Sequence, residues 1–254
     1  MKIYIKENVQ FYLSIFICLL IIGSCSKNET EVLDPVTFGY DYYPVEIGKR
    51  WVYQTDSIVY TQKASIEIDS TTSYLMEEVV DTFRDSENKL MYRLDVLFAM
   101  DTSLGWELIS SFFIHKDETQ FRKTENGLEF IKMVFPVRKN KSWDGNNRIA
   151  PKTELIINGE SLLPFVDEWN YGYDYLDQQE TVGTIFYDKV CKVTEVDNEH
   201  ALEKRYSTIK YAKGIGMIFK EQWILDTQIF DSSVPFVDKA QKGMILRQFL
   251  VSHN

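Results

Sequence analysis

Leu90-Met91-Tyr92-Arg93-Leu94-Asp95-Val96-Leu97-Phe98 puts Leu90, Tyr92, Leu94, Val96 and Phe98 at every second position. A period of two places those five side chains on one face of an extended strand and cannot form a helical stripe. Turn-forming residues bound the run: Asp85-Ser86-Glu87-Asn88 before it and the stretch from Asp101 to Gly105 after it. The same pattern spreads outward in both directions. Trp106 to Ile114 reads as the next strand. Asn126-Gly127 is the strongest hairpin signal, because both residues accept the positive φ of a type I′ turn. Its strands are expected at Gln120 to Thr124 and Leu128 to Phe135. Further on, Thr184 to Val196, Leu202 to Tyr211, Met217 to Leu225 and Met244 to Val251 read as a meander. Its turns are expected at Asp197-Asn198-Glu199 and Lys213-Gly214. Outside the first 24 residues no segment keeps a helical period. The expected fold class is therefore all-β, mainly an antiparallel meander, as a curved sheet, half-barrel or sandwich.

Composition agrees with strands. Aromatic residues make up 14% of the chain, with 15 Tyr, 16 Phe and 5 Trp, and aromatic side chains favour pleated, half-buried surfaces. The formal charge is −10. Lys2, Lys6 and Glu7 together carry +1 in residues 1–24, so the rest of the chain carries −11. That balance excludes a nucleic-acid partner, which needs a basic face, and it opposes electrostatic docking on anionic lipid.

The N-terminus reads as an export segment. Lys2 and Lys6 precede the apolar stretch Phe11 to Ile22, which is shorter than the roughly 20 residues of a membrane span. Ile22-Gly23-Ser24-Cys25 follows and resembles the bacterial lipobox, an aliphatic residue and two small ones before an obligatory cysteine. The resemblance implies cleavage after Ser24 and acylation of Cys25, with palmitate among the chains. Several acyl chains anchor stably, because each buried CH₂ contributes about 0.8 kcal/mol. Ser26 after the cysteine points to the outer membrane. The mildly acidic Lys27-Asn28-Glu29-Thr30-Glu31 leaves open the periplasmic and the cell-surface face. Residues 1–24 are thus expected to be a signal peptide, 25–38 a lipidated tether, and 39–254 one β-rich domain. Once Cys18 is removed and Cys25 is acylated, only Cys191 remains, inside the strand-like Val190-Cys191-Lys192-Val193, where a buried structural thiol is expected.

One internal repeat stands out. Tyr43-Pro44-Val45-Glu46-Ile47-Gly48-Lys49-Arg50-Trp51 matches Phe135-Pro136-Val137-Arg138-Lys139-Asn140-Lys141-Ser142-Trp143. Gly48 and Asn140 occupy the same place, and both residue types accept a left-handed backbone. The pattern predicts two similar halves meeting near 135–150, each corner closed by a largely buried Trp. These two stretches, with Asp144-Gly145-Asn146 and Tyr211-Ala212-Lys213-Gly214-Ile215-Gly216-Met217-Ile218, resemble a group of uncharacterised bacterial outer-membrane lipoproteins. That resemblance implies no activity, cofactor or site. A fainter likeness, in overall pattern alone, is to the half-barrel fold of lipoprotein-carrier proteins.

Chemistry-bearing motifs are sparse. His115, His200 and His253 lack metal-pair spacing, and no nucleophile elbow, phosphate loop or dinucleotide fingerprint occurs. Asp167, Glu168, Asp174 and Asp177 lack the spacing of a calcium loop and read as a solvated face. No cofactor, metal or catalytic residue is expected. The sharpest local feature is Trp169-Asn170-Tyr171-Gly172-Tyr173-Asp174-Tyr175. On a strand, Trp169, Tyr171, Tyr173 and Tyr175 share one face, either as a stacking platform for sugars or as one face of the core. The leading expectation is a membrane-anchored, non-enzymatic β domain with a ligand-binding or assembly role and an envelope protein or glycan as partner. The alternatives are a carbohydrate-binding surface lipoprotein and a hydrolase whose carboxylate pair is not placed.

Overall fold

The computed structural model describes residues 38–150, 153–154, 156–157, 160–161 and 169–254. The compact unit Pro35–Asn254 carries every described strand and the described hydrophobic core. Its first six strands are β1 (Arg50–Gln62), β2 (Ile66–Arg84), β3 (Leu90–Ala99), β4 (Glu107–Lys116), β5 (Gln120–Glu125) and β6 (Leu128–Val134). Then come β7 (Ser142–Trp143), and β8 (Ile156–Ile157) paired with β9 (Glu160–Ser161) as a separate ribbon. The last five are β10 (Tyr171–Val182), β11 (Ile185–Glu199), β12 (Glu203–Ala212), β13 (Gly216–Asp226) and β14 (Lys242–His253). Helix α1 spans only Phe236–Lys239.

All strands except β8 and β9 form one twelve-stranded antiparallel sheet, in the order β6-β5-β4-β3-β2-β1-β14-β13-β12-β11-β10-β7. The order resolves into two six-stranded meanders, β1 to β6 and β7 with β10 to β14, joined where β1 pairs with β14. The two outer strands also meet. The Ile131 amide of β6 donates to the Gly145 carbonyl just beyond β7 at 2.8 Å, and the Trp143 indole donates to the Ile131 carbonyl at 2.8 Å. The Tyr173 hydroxyl donates to the Val134 carbonyl at 2.9 Å and accepts from the Val134 amide at 3.1 Å. The sheet is thus rolled into a nearly closed barrel, which removes the liability of bare edge strands.

The sequence repeat marks the start of each meander. Gly48 and Asn140 have φ of 86° and 62°, both left-handed. Lys49 N–H donates to Glu46 C=O, and Lys141 N–H donates to Arg138 C=O, each at 3.1 Å. Both Trp side chains donate their indole N–H to a backbone carbonyl, Trp51 to Ile215 at 2.5 Å and Trp143 to Ile131 at 2.8 Å. Trp51 is fully buried, and Trp143, on the short β7 at the seam, is partly buried against the same core.

Three further details depart from the sequence reading. The turn expected at Asp197 to Glu199 lies later, at His200 to Leu202, because a bulge between Thr194 and Val196 lets β11 and β12 stay paired to Glu199↔Lys204. Helix α1 breaks the all-strand expectation by a single turn. The β1–β2 hairpin carries no alternation signal along much of its length. Its pairing runs unbroken from Arg50↔Glu78 to Gln62↔Ile66, yet Ile66 to Thr72 are all exposed. The β2 half of that arm is held by its backbone pairing to β1, whose Ile58 and Tyr60 pack into a second apolar cluster with Leu225, Phe236 and Ile245.

The register places β1, β3, β5 and β13 starting, and β2, β4 and β12 ending, at one end of the barrel. Tyr42 and Tyr43 plug this end. Tyr43 stacks on Trp51 at 5.4 Å and on Phe121 at 4.2 Å between ring centroids. Lys116 donates from its ammonium to the Tyr40 and Tyr43 carbonyls at 2.6 and 2.8 Å, tying the plug to β4. Burial pushes that ammonium's pKa down to about 8. Phe38, where the described chain begins, is bonded here through its carbonyl to the Val137 amide. The opposite end carries the Asn126-Gly127 turn (φ 51° and 80°), the β3–β4 connection and α1.

The β4–β5 turn shows how one carboxylate fixes a closed-end corner. Asp117 Oδ1 accepts from the Thr119 amide, the Thr119 hydroxyl and the Gln120 amide at 2.7, 2.7 and 2.9 Å. Burial works to raise the Asp117 carboxyl, but these donors and His115 override it and hold it near 2, below its ordinary 3.8. The folded value lies below the unfolded one. Its stabilising contribution is therefore complete above pH 3.8 and is lost as pH falls through about 2. Asp117→Ala is expected to destabilise by about 1–2 kcal/mol at pH 7. In urea titrations that difference should shrink between pH 4 and pH 2; a difference that stays constant over this range contradicts the assignment.

Candidate functional site

The barrel is not packed solid. A cavity of about 450 Å³ lies inside it, lined from both meanders: Leu75 and Val96 on one side, Ile209 and Ile224 on the other. The volume falls within the roughly 300–1,000 Å³ typical of small-molecule pockets. Asn126 and Ile109, which line it, are also exposed to solvent, so the cavity opens at the end away from the aromatic plug. At this end the β3–β4 connection exposes Met100 and Leu104, the latter 83% exposed, and the start of β4 exposes Leu108 and Ile109. An apolar lip of this kind is uncommon on a surface without a partner.

Apolar side chains dominate the wall, but six charged groups are set into the interior. Lys123 on β5 lies 2.7 Å from Glu77 on β2 and 3.1 Å from Glu125, two positions along its own strand. Lys132 on β6 lies 2.9 Å from Glu195 on β11, and the Ser207 hydroxyl donates to the other Glu195 oxygen at 2.6 Å. The Lys132 ammonium also sits 4.5 Å from the centre of the Phe130 ring. Lys220 on β13 is the sixth. It lines the cavity and, among the described residues, has no carboxylate at ion-pair distance and no hydrogen bond. Its charge is felt by Glu125, Lys132, Glu195 and Lys123, and burial is the largest influence, pushing its pKa down. Buried charges persist in a protein only when paired, so a cavity-facing ammonium without a partner is an unusual feature of this wall.

Tyr43 adds a second unmet group. Its ring forms part of the cavity wall, and its buried hydroxyl has no hydrogen-bond partner. Burial raises that hydroxyl's pKa, and Lys123, Glu77 and Glu125 are the charges that act on it. Tyr43 and Lys220 thus both lie within electrostatic reach of Glu125.

Glu77 and Glu125 are the carboxylate pair that could be sought for hydrolysis, and their setting opposes that use. Acid–base hydrolysis of a glycoside needs one carboxyl kept protonated near neutral pH. Burial works to raise the Glu125 carboxyl, but Lys123, Lys220 and Lys132 outweigh it and hold it well below the usual carboxylate range. Lys123 lies between the two carboxylates and pairs with both, and Lys220 and Lys132 add their charge at Glu125.

The aromatic row takes its place at the seam. Trp169, Tyr171 and Tyr173 are buried, and Tyr175 is half-buried. Their burial leaves the row no open stacking face; β10 itself pairs with β11 along its length and with β7 at Tyr171 and Gly172. The hydroxyl partners come from across the seam or from further along β10: Asn146 for Tyr171, Val134 for Tyr173 and Glu180 for Tyr175. Gly145 allows the close approach, because a Cβ there would lie 2.5 Å from the Tyr171 ring. Trp169 alone of the four lines the cavity. Cys191 is buried and unpaired, and burial raises its thiol pKa, as befits a structural residue. Asp174 pairs with Lys192 and Asp177 with Lys213, at 2.9 and 2.8 Å, which leaves neither poised as a cation ligand. Cys25, Asp167 and Glu168 lie outside the described residues.

Sequence reasoning missed the interior lysines and glutamates. A signal exists: Phe121-x-Lys123-x-Glu125, Leu128-x-Phe130-x-Lys132 and Val193-x-Glu195 each place a charge in phase with an apolar face. Such a charge is expensive unless the face lines a partly polar interior.

No protein-family model and no curated protein matches this chain. Two solved structures align along most of its length. A protein assigned as exported, with a YmcC-like fold, from Bacteroides fragilis is 12% identical, with a TM-score of 0.35, over 84% of this chain and 98% of its own. A protein assigned as a lipoprotein, from Parabacteroides distasonis, is 10% identical, with a TM-score of 0.33, over 86% of this chain and 99% of its own.

Proposed function

We propose that this chain is a bacterial envelope lipoprotein, held at the outer membrane by acyl chains on Cys25, whose barrel lumen binds a small molecule without transforming it. The observation that carries the reading is the open cavity of about 450 Å³ with charged groups set into an apolar wall. A barrel built only for stability fills its interior with side chains; one that holds a ligand leaves room and supplies a few placed polar groups. The exposed apolar lip at the mouth suits entry of a ligand from an apolar donor.

The anchor rests on Ile22-Gly23-Ser24-Cys25. Cells fed a radiolabelled fatty acid should label the wild-type protein and leave Cys25→Ser unlabelled and released from the membrane fraction. Equal labelling of both removes the anchor. The lumen reading is tested by native mass spectrometry of the protein gently extracted from its own envelope. A bound small molecule should accompany the wild-type chain; consistent recovery of the bare chain speaks against the reading.

A further inference from the structure

The ligand's chemistry can be read from what the lumen leaves unmatched, and this step rests on the lumen reading above. Three lysines and three glutamates line or flank the interior. Glu77 and Glu125 bracket Lys123, and Glu195 takes Lys132. Every interior carboxylate is therefore held by an ammonium. Among the described residues the ammonium without a paired carboxylate is Lys220, which is half-buried and lines the cavity. The Tyr43 hydroxyl, near the same Glu125, also has hydrogen-bonding capacity to spare. Both unmet groups can donate, and an ammonium can only donate. Beyond them the wall is mostly apolar, with Phe112, Phe130, Ile209, Met244 and Leu246, and its uncharged polar members include Gln222 and Gln248. Further cations would meet Lys220, and a purely apolar guest would leave Lys220 unpaired in a dry site.

We propose that the lumen takes an amphipathic anion, its carboxylate-type or phosphate-type head paired with Lys220 and its apolar body lying along the wall toward the Ile109–Asn126 mouth. The head supplies the direct ion-pair contact that Lys220 lacks, and the tail replaces water against apolar side chains. A charge-assisted contact in such a site shortens and strengthens relative to a neutral hydrogen bond. The neighbouring Glu125 sets a limit on the head, since it repels a second negative charge and favours a singly charged group.

The test is calorimetric binding of decanoate, decan-1-ol and decylamine, below their micelle concentrations, to the chain from Ser26 to Asn254, which contains the compact unit Pro35–Asn254. Decanoate is expected to bind at least about tenfold tighter than the alcohol, with the amine weakest. Lys220→Met should bring decanoate down to the alcohol's affinity and leave the alcohol unchanged, while Lys220→Arg keeps most of the preference. Its urea midpoint should equal or exceed the wild type's, because a desolvated charge is removed, so failure to fold does not confuse the result. A decyl phosphate monoester in place of decanoate distinguishes a phosphate head from a carboxylate one. Decan-1-ol binding as tightly as decanoate, with no effect of Lys220→Met, overturns the anionic head while leaving lumen binding intact, as does decylamine binding tightest. Absence of binding by all of these probes overturns both.

Discussion

Trp51→Ala is expected to destabilise the barrel by about 3–5 kcal/mol, the cost of removing a large buried side chain and leaving a cavity. Trp51 is 0% exposed, stacks against the plug residue Tyr43, and donates its indole N–H to the Ile215 carbonyl. Truncation removes the floor of the closed end and strands a carbonyl. Trp143→Ala should cost less, because its ring is only partly buried and the transfer term scales with buried area. Urea denaturation followed by circular dichroism reads both. Midpoints equal to wild type for both variants would mean that the two repeat corners have no structural weight. A larger loss for Trp143 than for Trp51 would contradict the burial that separates them.

Glu195→Gln is expected to cost about 3 kcal/mol or more, for a different reason. Glu195 is 0% exposed and neutralises Lys132, itself 6% exposed in its side chain. Removing one member of a buried pair leaves the other charge unmatched in a poor solvent, which typically costs about 3–5 kcal/mol. The pair itself contributes little net stability, since burying both ions consumes most of what their attraction returns. The double variant Lys132→Met with Glu195→Gln should therefore regain most of the loss. Glutamine can still accept the hydrogen bond from Ser207 seen at 2.6 Å to Glu195. A double variant no more stable than Glu195→Gln alone would show that the loss comes from packing and not from a stranded charge.

The contrast between these residues explains what the sequence could and could not show. Leu90 to Phe98 was legible because half-buried strands alternate, and Leu94 and Val96 are indeed buried while Arg93 is exposed. Asn126-Gly127 was legible because few dipeptides tolerate two positive φ angles, and both are found there. The equivalence of Gly48 and Asn140 was legible for the same reason. The outer stretch of β2, Ile66 to Thr72, was not, because it is exposed on both faces and its pairing to β1 is carried by the backbone. Closure of the sheet was not legible either. It depends on contacts between Ile131 and Gly145, and between Tyr173 and Val134, which no local pattern encodes. The aromatic row shows the limit most clearly: period two gave its common face, but only closure decided that the face is buried at a seam.

The candidate site followed the same logic. Each interior charge sits at an ordinary strand position, and nothing nearby in sequence distinguishes Lys220 from a solvated lysine such as Lys63. Glu77 and Lys123, which are 46 residues apart, become partners only when β2 and β5 curl around one lumen. Long-range pairing of this kind is a property of the closed barrel and not of any segment.

The central claim is that the lumen is a binding site and not a packing defect, and a lumen-filling variant tests it most directly. Leu246 is half-buried with its side chain lining the cavity, so Leu246→Trp should occupy the empty space without straining the wall. The measurement is equilibrium titration of an uncharged solvatochromic dye into the wild-type and Leu246→Trp chains, each from Ser26 to Asn254, beside their urea midpoints. The account expects saturable, blue-shifted binding by the wild type, loss of at least about tenfold in affinity in Leu246→Trp, and midpoints within about 1 kcal/mol of each other. Equal dye binding by the two chains at equal stability would contradict it.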